Sequence, residues 1–423
     1  MEKENNSLKT KVKGVIKKNL YTKYFFYSKK QFKAIEKNNI LETDILVPFF
    51  PFRHDYELLI YPIVEELEKS QLTVTLIVPR DALGSHNLQK LKGKVQILIY
   101  EDLFIKFNTY KETKTFLEEN LKHIQNDYIQ KGYSPSALQS MIVNYAYDYV
   151  LATKLLKKTK PKVVYSLHFI FNTGWLDALK KEKVQIHLMQ HGFFNGEIHD
   201  FMGSTMVHLW GEYHQERLKK LDSTLKTTVV GNPKLLRIKK SYINTENKVR
   251  ENLKILFVSS GHTFTNNKIY DLTLNALEGI KELQSDYNIE LIYKLHPSEN
   301  FKDYKRWLSQ KVIKHNEIIQ SNDIYEQILN AKIVIGAVST VVNEAAFLER
   351  LCIRLFDESL INDIDDGIIK IRSKTELKSL LLNSIDENYY NDLITEQTSK
   401  STRMFVSSYS VEKEIARLIK QHI

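Results

Sequence analysis

Apolar positions along the chain come in short blocks, and nearly every block stops at a small polar turn. Ile45–Phe50, Leu72–Val78, Val95–Tyr100, Lys162–Ser166, Val184–Met189, Met206–Trp210 and Thr227–Val230 are brief and rich in β-branched residues, which predicts strands. The segments between them follow helical spacing. Tyr56–Ser70 places Leu59, Ile63, Val64 and Leu67 on one face, and Phe171–Lys180 reads the same way. Residues 103–160 hold few glycines or prolines and predict two or three helices. The alternation resumes with Leu253–Val258, a helix over Tyr270–Leu283, Ile289–Leu295, the region Ile318–Leu329 and Ile333–Gly336. Cys352–Phe356, Glu376–Leu382 and a C-terminal helix over Val411–Lys420 complete the pattern. Strands alternating with helices imply right-handed crossovers and parallel sheets, an α/β fold.

A chain of 423 residues exceeds one ordinary core and predicts two α/β domains. The turn Gly231-Asn232-Pro233 and the polar stretch Lys239–Glu251 read as the linker between them. The expected division is a basic arm over 1–36, a first domain over 37–235, a second over 236–400, and a helix over 401–423 that returns to the first domain.

Four turns in the second half carry chemistry-bearing residues: Gly231-Asn232-Pro233, Ser259-Ser260-Gly261-His262, Lys294-Leu295-His296-Pro297 and Ser339-Thr340. Each follows a strand, so all four belong at the carboxyl edge of one parallel sheet, where open α/β sheets bind ligands. Ser339 and Thr340 open a helix whose free N–H groups attract anions, and Glu344 lies one turn on, within reach of a ribose hydroxyl. The same residues serve as an ordinary cap in any α/β protein. Pro297 restricts His296 to extended backbone and so fixes its direction. Alternation along the strand puts Lys294 on the same face as His296, though a solvated lysine would fit as well. Gly261 lets backbone approach a phosphate closely, with Ser260 and His262 beside it, while Asn232 fits a plain hinge turn.

The ordered strings QHG, WGE, VVGNP, SSG, KLHPSE and ST-x-x-NEA resemble bacterial glycosyltransferases of the GT-B fold that build capsule, lipopolysaccharide or teichoic-acid polymers. Capsule-type sialyl- and Kdo-transferases and CDP-glycerol glycerophosphotransferases are the relatives meant, over Pro161–Glu344. The resemblance implies two Rossmann-like domains facing each other across a cleft. It also implies that His296-Pro297 and Ser339-Thr340 contact the donor phosphate and that His191, in Gln190-His191-Gly192, matters for catalysis. The sialyltransferases carry an acidic-acidic-glycine motif in their acceptor half. Here the only such string, Asp365-Asp366-Gly367, lies far down the second half.

Glycosyl transfer needs a held leaving diphosphate, a base for the acceptor proton and a cleft that excludes water. A neutral His191 at the edge of the first sheet suits the base, and it suits a satisfied turn equally well. His54-Asp55 and His199-Asp200 are further base candidates. GT-B enzymes commonly hold the diphosphate without a metal, and no Asp-x-Asp follows a strand on the donor side. Asp363-x-Asp365-Asp366 is the nearest string and reads as solvated loop acidity. The expectation is a transferase using a nucleotide-activated sugar, with no cofactor or metal, on a glycan or lipid-linked acceptor. Two alternatives stay open: a hydrolysing UDP-sugar 2-epimerase and a non-catalytic assembly subunit. Those epimerases usually carry an arginine-rich segment where this chain has His262-Thr263-Phe264-Thr265-Asn266.

Composition adds three points. The single cysteine, Cys352, lies in an apolar run and reads as core packing, which excludes an internal disulfide and fits a reducing cytoplasm. Apolar runs fall short of a bilayer span and the first residues lack a signal-peptide core, so the chain is expected inside the cell. The net charge of +10 is concentrated: between Asn5 and Ile35 nine lysines and no acidic residue interleave with Tyr21, Tyr24, Phe25, Phe26, Tyr27 and Phe32. Such an arm suits docking on an anionic membrane surface, here the inner face of the plasma membrane; a solvated helix packed on the first domain is the plainer reading. Nucleic acid is not expected as a partner, because no binding module accompanies the basic residues.

Overall fold

The computed structural model describes residues 40–49, 56–107, 109, 111–119, 135–167, 174–192, 201, 203–242, 253–320, 324–360, 366–406 and 410–423. The first sheet contains β1 (Ile45–Pro48), β2 (Val74–Val78), β3 (Gln96–Ile99), β4 (Val163–Leu167), β5 (Gln185–Met189), β6 (Met206–Leu209) and β7 (Thr227–Val229). Their spatial order is β3-β2-β1-β4-β5-β6-β7. The second contains β8 (Leu253–Val258), β9 (Ile289–Lys294), β10 (Glu317–Ile319), β11 (Ile333–Gly336), β12 (Leu351–Leu355) and β13 (Ile369–Ile371), ordered β10-β9-β8-β11-β12-β13. All named strands pair in parallel.

The helices around the first sheet are α1 (Glu57–Lys69), α2 (His86–Leu91), α3 (Tyr100–Lys106), α4 (Pro135–Thr159), α5 (Gly174–Lys181) and α6 (Glu212–Leu221). The connecting helix α7 (Pro233–Tyr242) leads to α8 (Asn267–Leu283), α9 (Phe301–Gln310), α10 (Ile324–Asn330), α11 (Thr340–Phe347), α12 (Lys374–Asn383), α13 (Glu387–Ser401) and α14 (Val411–Lys420).

Helices cover both faces of each sheet, so strands such as β1 and β11 are buried throughout and read as continuous apolar runs. Ile45 and Val47 point to one face of the first sheet, with α1, α7 and α14; Leu46, Val164 and Ile186 point to the other, under α4 and α5. α4 and α5 meet at Gly174, where an added Cβ would lie 2.2 Å from the Tyr145 carbonyl oxygen. The first of these clusters continues into the second domain through Leu256, Val258, Val334 and Val342. One apolar core thus joins the two sheets.

The chain returns to the first domain after α13. The Tyr213 amide donates to the Arg403 carbonyl at 3.1 Å, and the Val406 amide to that of Trp210 at 2.8 Å. Trp210 stacks on Phe405 with ring centroids 5.6 Å apart. A Cβ on Gly211 would sit 2.3 Å from the Arg403 and Met404 carbonyl oxygens, so the WGE turn is a seat for this crossing segment. Beyond it α14 packs on α1 and buries Val411, Ile415, Leu418 and Ile419, a gross gain of roughly 6–12 kcal/mol.

The Gly231-Asn232-Pro233 turn, expected beside the other three at one sheet edge, instead leaves β7 of the first sheet, and the stretch expected as a linker begins inside a helix. Pro233 suits the first helical position, and Asn232 Oδ1 accepts from the Leu235 amide at 3.2 Å, so α7 runs to Tyr242. Its three apolar anchors, Leu235, Leu236 and Ile238, are outnumbered by lysines and polar residues. The basic arm over 1–36 lies outside the described residues. Among the described residues no helix is long and apolar enough to cross a membrane.

Candidate functional site

The order of the second sheet reverses between β8 and β11, and the loops leaving those strands flank the crevice where such sheets bind ligands. The β8 loop carries Ser259-Ser260-Gly261-His262. Ser259 faces inward: its amide donates to the Lys294 carbonyl at 2.9 Å, and its hydroxyl donates to Glu299 Oε1 at 2.7 Å. Ser260 behaves differently, since its Oγ is buried with no hydrogen-bond partner. A buried unsatisfied hydroxyl costs on the order of 1–3 kcal/mol and marks a position where a ligand can complete the bonding. His262 is exposed, and its carbonyl accepts from the Thr265 and Asn266 amides at 3.1 and 3.0 Å.

Gly261 joins this loop to the next one. It has φ +83°, and an added Cβ would lie 2.9 Å from His296 Nδ1. The β9 loop thus lays its imidazole against the bare backbone of the β8 loop. His296 Nδ1 accepts from the Ser298 amide at 3.2 Å and lies 2.7 Å from the Ser298 hydroxyl. An accepting Nδ1 leaves the ring proton on Nε2, which makes that nitrogen a donor. His296 and Pro297 are both exposed at the sheet edge.

Lys294 is turned away from this edge. It is buried, and its ammonium donates to the carbonyls of Gln320 and, at 3.3 Å, Leu295. Burial lowers its pKa. Ser339 caps α11, its hydroxyl accepting from the Val341 amide at 3.3 Å, and Thr340 is the first helical residue. Glu344 is buried one turn on. Lys234 of α7 reaches one of its oxygens at 3.2 Å, and the Tyr325 hydroxyl donates to the other at 2.7 Å. Glu344 therefore bonds to the connecting helix and to α10 and meets a ribose only by sharing or exchanging those partners.

Asp366, from the acidic string, is a structural ion. It accepts from Arg354 at 2.6 Å and Asn343 at 2.9 Å in a fully buried cluster behind α11, and Arg354 bonds Asn343 at 2.9 Å. The expected solvated loop acidity does not hold for this residue, because a buried arginine on β12 requires a counter-ion. Asp363 and Asp365 lie outside the described residues, and among those described no group of His, Cys, Asp and Glu is arranged for a metal. Cys352 is buried in β12 with its pKa pushed up by burial, as core packing requires.

At the edge of the first sheet, His191 follows β5, half-buried, with its ring edge-on to Tyr56 at 5.4 Å. Tyr56 immediately precedes α1, so the start of α1 and the turn after β5 meet there. Gln190 is fully buried and fixes the turn: its Nε2 donates to the Gly192 carbonyl at 3.0 Å, and its Oε1 accepts from the Trp210 amide at 2.9 Å. That bond ties the QHG and WGE strings into one unit. Behind the turn, His187 Nδ1 lies 3.0 Å from His208 Nε2, and His187 Nε2 lies 2.6 Å from Nδ1 of His422. Burial, and then the neighbouring His422, push the His187 pKa down to about 3, and burial drives His208 well below its ordinary value. His187 and His208 are neutral members of the core. His54, Asp55, His199 and Asp200 lie outside the described residues.

Two α/β units with all-parallel sheets, facing loop clusters and a helix returning from the end of the chain define the GT-B fold. No family model and no curated protein matches the chain by sequence. Solved structures match by shape. UDP-GlcNAc 2-epimerase from Neisseria meningitidis, bound to UDP-GlcNAc, is similar over 89% of this chain and 99% of its own, at 14% identity and TM-score 0.57. The UDP-GlcNAc 2-epimerase of Methanocaldococcus jannaschii covers the same shares at 16% identity and TM-score 0.53. A glycosyltransferase from Rickettsia africae covers 90% of this chain and 98% of its own, at 12% identity and TM-score 0.52. At these identities the likeness is one of fold.

Proposed function

We propose that this protein is a metal-independent glycosyltransferase that moves a sugar from a nucleotide-activated donor to a glycan or lipid-linked acceptor of a bacterial surface polymer. The observation that carries the reading is the contact between Gly261 and His296 at the reversal point of the second sheet, beside the unsatisfied hydroxyl of Ser260. Together they offer a diphosphate two side-chain donors and close backbone, and the amino end of α11 adds the positive end of its helix dipole. The acceptor belongs at the edge of the first sheet, with His191 as the base that takes its proton. Likeness to nucleotide-sugar enzymes supports a nucleotide sugar as the ligand class. In this reading the charge and aromatic residues of the arm, Asn5–Ile35, suit docking on the anionic inner face of the plasma membrane.

A thermal-shift panel with UDP, CDP, CMP, GDP, dTDP and ADP, run beside His296→Ala, tests the donor half. A ligand at about 100 times its dissociation constant adds roughly 2.7 kcal/mol of stability, so one nucleotide should stabilise the wild type and not the variant. No response to any nucleotide would sink the reading in favour of a non-catalytic subunit. Epimerases of the same fold make UDP-GlcNAc the necessary control. Release of UDP and a free 2-epimeric sugar without any acceptor would replace the transferase reading. The segment His262–Asn266 carries no arginine, which weighs against that outcome.

A further inference from the structure

Glu299 ends the string that contains His296, and its carboxylate touches three different elements. Oε1 accepts from the Ser259 hydroxyl of the β8 loop at 2.7 Å and from the Tyr304 hydroxyl of α9. Oε2 accepts from the His296 backbone amide at 2.9 Å. From the other side, Gln320, just after β10, donates its side-chain amide to the carbonyls of Glu299 at 2.6 Å and His296 at 3.3 Å. The Ser259 hydroxyl also lies 3.3 Å from that of Thr263 and 3.2 Å from that of Tyr304, which closes the network.

A carboxylate beside an anion site opposes binding by its charge, so its place there needs another explanation. Its bonds supply one. They run to the frame of both loops: the amide of His296, the hydroxyl of Ser259 and the helix behind them. The two adjacent serines thus differ: Ser259 is bonded into the frame, and Ser260 keeps a buried hydroxyl with no partner. We infer that Glu299 is the positioning residue of the donor site, clamping the His296 loop against the Ser259–Gly261 loop so that His296 Nε2 and Ser260 Oγ address the same diphosphate. This rests on the nucleotide-sugar reading above.

The test uses the full chain, with the nucleoside diphosphate that stabilises the wild type in the panel and the matching nucleoside. Glu299→Ala should weaken the diphosphate at least tenfold by calorimetry while changing nucleoside affinity less than twofold. Glu299→Gln, which keeps an acceptor for the His296 amide and a group to bond the two hydroxyls, should recover affinity to within threefold of wild type. Equal losses for diphosphate and nucleoside in Glu299→Ala would reduce the residue to packing and overturn the inference. A loss in Glu299→Gln as large as in Glu299→Ala would overturn it too, since geometry alone would not then be the cause. If Glu299→Ala fails to fold, Ser259→Ala removes one arm of the clamp and should still cost the diphosphate severalfold; wild-type affinity there would refute the clamp. A wild type that binds no nucleotide refutes the underlying reading, whereas intact binding in both Glu299 variants refutes only the role of Glu299.

Discussion

The two sheet edges are built from one plan and use their histidines in opposite ways. At the first edge His187 and His208 are buried in the sheet, bonded to each other and to the end of the chain, while Gln190 is consumed in holding the QHG turn. Among the described residues of that edge, His191 is half-buried, with its ring edge-on to Tyr56. At the second edge the polar frame lies in Glu299, Ser259 and Gln320, while His296 is exposed and the Ser260 hydroxyl is buried without a partner. A strand followed by a polar turn is therefore not by itself a site. The difference lies in whether other groups behind the turn absorb the polar demand.

If His191 is the active group of the first edge, His191→Ala should lower turnover by about 10²–10⁴-fold and leave nucleotide affinity unchanged. Near-normal turnover would make the first edge a purely structural counterpart of the second.

Asp366 lies behind the second edge as the partner of buried Arg354. Asp366→Ala should cost about 3–5 kcal/mol in denaturant unfolding, because it leaves a buried cation without its counter-ion. A change below about 1 kcal/mol would mean that this acidic string is solvated after all.

The buried histidines of the first edge predict a pH effect with a definite sign. His187 takes its proton near 6.5 when unfolded, but only at about 3 when folded. Between those values the unfolded chain binds more protons, so stability is full above 6.5 and falls as the pH drops toward 3. At about pH 5 the loss is roughly 2 kcal/mol for His187. Denaturant midpoints near pH 7.5 and 5 measure it, and His187→Gln should flatten the slope. A flat wild-type profile would show that the histidine chain is open to water.

The smallest effect belongs to Gly261. A side chain there meets both the positive φ and His296, so Gly261→Ala should destabilise by about 1–2 kcal/mol. Its nucleotide affinity should fall further than that change in stability accounts for. Normal affinity would separate the two loops.

The strands were legible because the sheets are covered on both faces, so each strand reads as an apolar run whatever its neighbours. Helices α9 and α13 were not, since FKDYKRWLSQ and ENYYNDLITEQTSKS bury few apolar positions and look like surface. Lys234 was invisible for a related reason. A lysine in a basic stretch reads as solvated, and only the docking of α7 on α11 brings it to Glu344. Glu299 was in plain view within KLHPSE, but an acid among serine and asparagine gives no sign of being bonded on both oxygens. Residues alone determined the alternating strand–helix order, the turns after the strands and the residue types able to meet a phosphate, because backbone propensity and hydrophobic period are local. Which of two serines is bonded into the frame, which histidines are neutral core and which lysine is turned inward were decided only in three dimensions. Those choices depend on desolvation and on partners tens or hundreds of residues away.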